Sequence, residues 1–280
     1  MIATLKNNHD VSVLLTIARL PRSTFYYHLA RLERVDPHHE LKTAITQIFT
    51  ANKSRYGHRR IHIELRKQGW KVAKKTVLKL MRVLKLVCKT RSRKRFTSYH
   101  GDVGQLAPNL LHREFCAARP NEKWVTDITE FKVGDDKLYL SPVLDLYDRS
   151  IVAFSTSRRP TVEFALSSLR NALKHTPLKG SLLVHSDQGF HYQHARWRQC
   201  LARAGARQSM SRKGNCLDNA VMENFFGHLK EEMFHHDTFT TINDLEREIH
   251  AYIAWYNTEQ VSLTLEGMSP MQYRAHALAA

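Results

Sequence analysis

The chain has 280 residues, enough for one large domain or for two to three smaller domains that each bury a hydrophobic core. Its four cysteines are scattered, with no pair at the spacing of a zinc site or a disulfide framework. The lack of a signal peptide and of any run of about 18 apolar residues excludes a secreted or membrane-spanning protein, so we expect a cytoplasmic one.

Positive charge is concentrated in the first part of the chain. The formal net charge is +17. Residues 1–110 hold 23 basic and 6 acidic side chains, whereas residues 111–280 hold 20 of each. This asymmetry is typical of a protein that binds a phosphate backbone. A solvated surface or an arm that aids solubility is the alternative, but the charges are interleaved with helical periodicity instead of forming a loose run.

Residues 1–35 predict a helix-turn-helix-like segment. An apolar stretch at 11–20 ends at Pro21, and Ser23 is predicted to cap a second helix. The side chains then available to DNA are Arg22, Thr24, Tyr26, Tyr27 and His28. The alternative is purely structural, since Phe25 and Leu29 are four residues apart and can pack in a small core.

Residues 36–86 predict a second helical unit, with helices at 40–51, from about 58 to Gly69, and at 72–84. Apolar residues line one face of each helix, and basic residues line the other. The pattern favours a winged-helix or related DNA-binding domain, and a helical bundle that contacts protein is the alternative. The predicted DNA contacts are Arg59, Arg60, Lys74 and Lys75.

Residues 87–120 show little periodicity and predict a basic linker. It contains Arg93, Lys94 and Arg95, followed by Gly101, Gly104 and Pro108. A linker of this composition is suited to follow a DNA backbone. An ordinary disordered spacer is the alternative.

Residues 121–235 predict an α/β domain. Strands are predicted at 124–133, 137–145, 151–157, 181–185 and 206–209, and helices at 160–174 and 192–204. Three strands, helix, strand, helix, strand, helix is the order of a ribonuclease H-like core with a mixed five-stranded sheet. Two further helices are predicted at about 216–234 and 242–257, and residues 236–280 form a C-terminal helix and a loop-rich tail.

Three carboxylates in this region are the candidate catalytic residues and metal ligands: Asp127, Asp187 and Glu223. The two aspartates are separated by 59 residues, and Asp187 and Glu223 by 35. Asp127 on the first strand and Asp187 at the end of the fourth are expected side by side, with Glu223 projected from a later helix. Carboxylate oxygens suit Mg²⁺ and Mn²⁺, and two such ions support displacement at phosphorus.

Helical geometry places two more side chains near Glu223. At 100° per residue, Asn219 lies about 40° and Lys230 about 20° from Glu223 around the helix. We therefore predict that Asn219 and Lys230 face the same site and bind DNA, with Lys230 holding a phosphate. Asp218 is predicted to be an N-cap, and Glu130, Asp145 and Asp148 are left outside the site.

The motifs together resemble the OrfB-type transposases of bacterial insertion sequences, which share the catalytic core of retroviral integrases. The resemblance extends from about Leu20 to Tyr273, and it includes the 35-residue gap and the basic residue seven positions after the glutamate. The motifs that carry it are residues 56–61 (YGHRRI), 124–131 (WVTDITEF), 138–145 (LYLSPVLD), 185–189 (HSDQG) and 209–220 (SMSRKGNCLDNA).

The resemblance implies hydrolysis at the ends of a mobile element with two Mg²⁺ ions, for which Mn²⁺ can substitute, and then attack by the freed 3′-hydroxyl on target DNA. It gives metal-ligand roles to Asp127, Asp187 and Glu223. It also implies a nucleoid-associated homo-oligomer on paired double-stranded DNA ends, and a short upstream OrfA partner or an OrfAB fusion. One departure is visible: Tyr256-Asn257 is followed by Thr258-Glu259-Gln260, where relatives commonly carry arginine, so positive charge is lost where DNA or a neighbouring subunit is expected to dock.

Two other functions are compatible with these motifs. A catalytically silent DNA-binding regulator derived from a transposase is disfavoured, because all three carboxylates and Lys230 are intact. A nuclease of the same fold that hydrolyses without joining is not separated from a transposase by the sequence.

Overall fold

The N-terminal segment contains three short helices. The computed structural model describes residues 2–5, 7–32, 36–89, 106–176, 181–212 and 216–279. Helices α1 (Ile2–Leu5), α2 (Val11–Ile17) and α3 (Arg22–Leu32) come first. Leu15 and Phe25 are buried, and Asp10 caps α2 by accepting a hydrogen bond from Ser12 N (2.7 Å). The prediction that Ser23 caps α3 is wrong: the carbonyl of Pro21 already accepts the first helical hydrogen bond, from Phe25 N.

The second helical unit contains α4 (His39–Ala51), α5 (His58–Lys67) and α6 (Lys74–Val83), close to the predicted ranges. Each helix turns one apolar face inward, where Ile45, Ile61, Leu65 and Val77 are fully buried in a common core. Most basic side chains of these helices, including Arg59, Lys74 and Lys75, are exposed, because burying an unpaired ammonium or guanidinium group is costly. The predicted amphipathic helices are therefore confirmed.

A mixed sheet forms the centre of the molecule. Its strands are β1 (Lys123–Thr126), β2 (Thr129–Val133), β3 (Asp136–Asp145), β4 (Ile151–Ser157), β5 (Leu183–Ser186) and β6 (Arg207–Met210). Helix α7 (Val162–Lys174) follows β4, and α8 (Phe190–Gln193) and α9 (Ala195–Arg203) follow β5. β3 pairs antiparallel with β4, and β5 lies parallel between β1 and β6.

β1 and β2 are two parts of one interrupted strand. Both pair antiparallel with β3 in the same register, as Trp124↔Asp145 and Thr129↔Leu140 show. Continuing that register places Asp127 opposite Pro142, and proline has no N–H to donate to the ladder. When β1 and β2 are counted as one interrupted strand, the sheet has five strands. The predicted ribonuclease H-like core is therefore confirmed.

Helices cover both faces of this sheet. Because successive strand residues point to opposite faces, Trp124 and Val125 belong to different hydrophobic cores. The core around Trp124 includes residues of α7 and α9, such as Leu169 and Trp197. The core around Val125 is closed by the C-terminal helices. The alternation of the strands thus fixes which side of the sheet each helix covers.

The C-terminal part of the chain differs from the predicted pattern at two points. A 3₁₀ turn (Cys216–Asn219), helix α10 (Ala220–Leu229) and a π-helical turn (Lys230–Phe234) replace the single helix expected at 216–234. Helix α11 (Ile242–Thr258) matches its prediction, but the tail is not loop-rich, since α12 (Pro270–Ala279) follows. Among the described residues, no helix has the length and apolar composition needed to span a bilayer.

The segment Thr258-Glu259-Gln260 follows Tyr256-Asn257 and departs from the pattern of similar sequences. Its last residue faces the protein interior. Gln260 is buried, and its Nε2 donates to Glu232 Oε2 at 3.5 Å. The expectation that this position meets DNA or a neighbouring subunit is therefore wrong for Gln260, because tertiary packing covers it. Tyr256 and Asn257 also serve the fold: the Tyr256 hydroxyl donates to Arg149 O, and the Asn257 side chain pairs with the backbone of Ile151.

Candidate active site

The two aspartates lie at the same edge of the sheet. β1 and β5 are adjacent parallel strands, and Val125 pairs with His185. Asp127 and Asp187 each come two residues after that pair, so they leave the carboxyl ends of neighbouring strands together. This edge of an α/β sheet is where ligands commonly bind. The predicted side-by-side arrangement of the two aspartates follows directly from this register.

Backbone N–H groups hold both carboxylates. Asp127 Oδ1 accepts a hydrogen bond from Ile128 N at 2.7 Å, and Asp187 Oδ1 accepts one from Gly189 N at 2.9 Å. Gly189 leaves the space that this contact needs, because a Cβ built on it would lie 2.9 Å from Asp187 Oδ1. The glycine of the HSDQG motif is therefore required by the position of the carboxylate.

The three carboxylates and Lys230 interact electrostatically. Burial raises the pKa of Asp127 well above its usual value, and the negative charges of Asp187 and Glu223 raise it further, while Lys230 acts in the opposite direction. Burial also raises the pKa of Asp187, against the hydrogen bond from Gly189. Mutual repulsion of this kind marks a position where a divalent cation lowers the energy.

Helix α10 and the π turn carry the other two groups. Glu223 lies in the first turn of α10 and is half-buried. Lys230 begins the π turn, and its Nζ lies 5.3 Å from the centre of the Phe131 ring on β2. This cation–π contact fixes the ammonium group beside the interrupted strand. π turns inside helices are rare and are often found at functional sites.

Asn219 and Asp218 have structural contacts different from those predicted. Asn219 is buried in the 3₁₀ turn, where its Nδ2 donates to Thr126 O at 3.4 Å. Its DNA contact stays a prediction, and the contact that it makes is with the strand before Asp127. Asp218 is not an N-cap, because it lies one residue too early: its carboxylate binds Arg212 and Arg113, at 2.9 and 2.8 Å. Hydrogen bonding to Arg212 holds the pKa of Asp218 well below its usual range.

A buried histidine supports the aspartate loop, and sequence reasoning did not select it. Leu110 N and Leu111 N both donate to Ser209 Oγ, which leaves the Ser209 hydroxyl hydrogen for His185 Nδ1 at 2.8 Å. His185 Nε2–H then donates to Ser211 Oγ at 3.1 Å. Burial lowers the pKa of His185 to about 4, so the ring is neutral at pH 7. In the sequence, only the HSDQG motif indicates His185, because the alternation of strand residues predicts burial but no functional role.

Tyr192 is a second residue that sequence reasoning missed. It is fully buried and packs edge-on against Trp197, with ring centres 4.9 Å apart. Burial raises the pKa of its hydroxyl, and the charges of Asp127 and Asp187 raise it further. Tyr192 therefore lies close enough to both aspartates for their charges to act on its hydroxyl.

The donor set fits a hard divalent cation. Three carboxylates supply only oxygen ligands, which Mg²⁺ and Mn²⁺ prefer over imidazole or thiolate. Within the described ranges, no three His, Cys, Asp or Glu side chains are drawn into a closed metal cluster. The match therefore rests on the chemistry of the donors and on their mutual repulsion at Asp127.

The predicted DNA contacts have different surroundings. Arg59, Lys74 and Lys75 are exposed on the helical unit, in positions accessible to a phosphate backbone. Arg60 is half-buried, and its Nη1 binds Glu232 Oε1 at 3.3 Å. Arg93, Lys94 and Arg95 lie outside the described residues. All of these contacts stay predictions.

Three family models match the chain. A model described as an HTH-like domain matches residues 37–95, and two models described as an integrase core domain match residues 117–216 and 223–278. Together they include the helical unit, the sheet with both aspartates, and the C-terminal helices from Glu223 onward.

Several known proteins are similar over most of the chain. The putative transposase InsK for insertion sequence element IS150 of Escherichia coli (strain K12) is 45% identical over 270 residues, covering 96% of this chain and 95% of the relative. The probable transposase for insertion sequence element IS1353 of Shigella flexneri is 37% identical, covering 99% of this chain and 54% of the relative. A solved simian T-cell lymphotropic virus intasome, in complex with PP2A regulatory subunit B56 gamma, has a TM-score of 0.49 at 17% identity, covering 82% of this chain and 73% of that chain.

Proposed function

Because the chain belongs to the insertion-sequence transposases with an integrase core, which are DDE-type polynucleotidyl transferases, we propose that it binds the terminal inverted repeats of its element, cleaves there and transfers the freed strand to target DNA. The observation that carries the proposal is the register of β1 and β5, which brings Asp127 and Asp187 to one edge of the sheet. The charges of Glu223 and Lys230 both act on the carboxylate of Asp127.

Asp127, Asp187 and Glu223 would hold two Mg²⁺ ions, for which Mn²⁺ can substitute. When bound, two such ions activate the attacking oxygen and stabilise the departing one. The backbone N–H groups of Ile128 and Gly189 orient the two aspartates for this role. Lys230 binds a phosphate of the DNA end beside Phe131, where its ammonium group is already fixed.

DNA binding is assigned to the exposed basic residues of the helical unit, namely Arg59, Lys74 and Lys75, and to the basic linker with Arg93, Lys94 and Arg95. The complex would be a homo-oligomer on paired ends in the cytoplasm, associated with the nucleoid. An OrfA protein or an OrfAB fusion would supply a further portion. In support, the Shigella flexneri transposase is longer than the matched region, which covers 54% of it.

Cleavage of a labelled terminal inverted repeat tests the proposal. We expect purified protein to nick the element end in Mg²⁺ or Mn²⁺, and Glu223→Gln and Asp187→Asn to reduce nicking by at least about 10³-fold, because each removes a charged oxygen ligand. Gel-shift titration is expected to show end binding unchanged in both variants. Asp135→Asn is the matched control, since Asp135 is an exposed carboxylate in the turn between β2 and β3.

Two outcomes would point to other functions. Specific binding without nicking, also in the presence of an OrfA portion, would indicate the catalytically silent regulator. Nicking without strand transfer from a pre-cut end would indicate a nuclease. Equal loss of end binding and nicking in Asp187→Asn would refute the role assigned to that residue.

A further inference from the structure

Glu232, in the π turn after Lys230, is a buried carboxylate bound by side chains from three parts of the chain. It is 3% exposed. Its oxygens accept hydrogen bonds from the Tyr252 hydroxyl of α11 (2.9 Å) and from Arg60 Nη1 of α5 (3.3 Å). His228 Nδ1 lies 3.6 Å away, one turn earlier, and Gln260 Nε2 lies at 3.5 Å. A charge this deeply buried is stable only when it is paired, and here the arginine comes from the helical unit.

The backbone of the same residue is also bound, by Arg55 of the helical unit and by Lys89 just after it. Carbonyl groups at the end of a helix have no partner within the helix. The carbonyl oxygen of Glu232 lies within 3.4 Å of Arg55 Nε and 3.5 Å of Lys89 Nζ. Positive groups at a helix C-terminus are also favoured by the helix dipole. Three cations of the basic part of the chain therefore converge on one residue of the catalytic part.

Glu232 and Glu223 lie on opposite faces of the same helical segment. At 100° per residue within α10, His228 lies about 140° around the helix from Glu223, and His228 Nδ1 contacts Glu232. His228, four residues before Glu232, lies on the same side of the helix as Glu232. Lys230 lies on the Glu223 side, where its positive charge acts on Asp127. A helix held on one face has a fixed rotation, and that rotation determines where its other face points.

We propose that Glu232 is a positioning residue of the active site: bound by Arg60, it fixes the rotation of α10 and so holds Glu223 and Lys230 toward the aspartates. The inference rests on the proposed function, since it concerns the metal-binding carboxylates. It also gives the helical unit a second task beside DNA binding. Docking of this unit through Arg60 completes the site, and a change in its docking alters metal binding.

Mn²⁺ binding to the full chain tests this role, with Mn²⁺ alone as the probe and free Mn²⁺ measured by electron paramagnetic resonance. We expect Glu232→Gln and Arg60→Gln each to raise the dissociation constant for Mn²⁺ about tenfold, the size typical of groups that orient metal ligands. Glu232→Gln keeps the shape of the side chain and removes only its charge. The control is Lys67→Gln, which removes a cation from the same helix as Arg60 and is expected to bind Mn²⁺ like the parent protein.

Amide hydrogen exchange of residues 223–230 provides a second measurement, and both variants are expected to exchange faster there than the parent. A lowered melting temperature with unchanged Mn²⁺ affinity and unchanged exchange would show that Glu232 is merely structural, and would overturn the inference. The Asp187→Asn variant distinguishes an error in the role of Glu232 from an error in the proposed function. If Asp187→Asn binds Mn²⁺ as tightly as the parent protein, the ion is not at the carboxylates and both proposals are overturned.

Discussion

At the scale of single residues, the site depends on short contacts that position charged groups before any DNA is bound. Gly189 shows this positioning most clearly. Its N–H donates to Asp187 Oδ1, and its missing side chain leaves room for that same oxygen. Its φ lies at −57°, a value that any residue adopts, so space and not backbone conformation requires glycine here. His185, two residues before Asp187, acts in a similar way, because its neutral ring links β5 to Ser209 in β6 and to Ser211 just after β6.

Gly189→Ala tests this dependence on space. The added methyl group would approach Asp187 Oδ1 to 2.9 Å, so the carboxylate must move by several tenths of an ångström. We expect cleavage of the element end to fall about tenfold, because a misplacement of about 1 Å can cost about 10²-fold and this shift is smaller. End binding by gel shift and the melting temperature are expected to stay close to those of the parent. Full cleavage activity in the variant would show that the carboxylate position tolerates the shift.

At the scale of elements, Arg274 connects helix α12 to buried carboxylates of the core. Arg274 Nη2 binds Asp145 Oδ2 at 2.7 Å, and Arg274 Nε binds Asp148. Both aspartates are fully buried at the end of β3, where Asn121 N also donates to Asp145. Burial raises the pKa of Asp145, and Arg274 counteracts that rise. These carboxylates belong to the fold and not to the active site, in agreement with their exclusion at the sequence level.

Arg274→Met is expected to destabilise the protein by about 3–5 kcal/mol, because it leaves buried carboxylates without their cation. Chemical denaturation measures the free energy of unfolding. The matched control is Arg247→Met on α11, which breaks a pair between Arg247, 76% exposed, and Asp244. That surface pair contributes at most about 1 kcal/mol. Equal effects of the two substitutions would mean that Arg274 does not attach α12 to the core.

At the scale of the whole molecule, the helical unit and the catalytic core form a polar and aromatic interface. The guanidinium of Arg55 lies 4.6 Å from the centre of the Trp255 ring and 5.0 Å from that of Tyr252, and its Nη2 is 3.4 Å from Glu248. Beside it, the Tyr56 hydroxyl accepts a hydrogen bond from Val261 N at 2.9 Å. Burial raises the pKa of that hydroxyl to about 12, so it stays protonated. The basic part of the chain is therefore docked on the core through a few of its charges and keeps others exposed.

Arg55→Ala is expected to separate the unfolding of these two units. The substitution removes two cation–π contacts, each contributing about 2 kcal/mol when desolvated, together with the ion pair to Glu248. Scanning calorimetry should then resolve two transitions where the parent protein shows one. Arg66→Ala, which removes an exposed arginine from the same unit, is expected to keep a single transition. A single transition at the parent temperature in Arg55→Ala would contradict the importance of this interface.

The sequence by itself determined the elements of the fold and the identity of the three carboxylates. Alternation and helical periodicity are local properties, so the strands around Trp124 and Val184 and the helices of residues 39–83 were predictable within a few residues. The order of those elements predicted the ribonuclease H-like core. The spacing of Asp127, Asp187 and Glu223 selected the candidate site, because each motif lies at the end of a strand or in the first turn of a helix.

Only the tertiary structure decided which charges are available to DNA and which stabilise the fold. Arg59 and Arg60 are neighbours in the sequence, yet Arg60 binds Glu232, which is 172 residues away, whereas Arg59 is exposed. The same applies to Gln260, Asp218 and Arg274, whose partners come from distant segments. An ion pair depends on the separation of two groups in space, and periodicity along the chain carries no information on that separation. The packing of helices against the sheet supplies it.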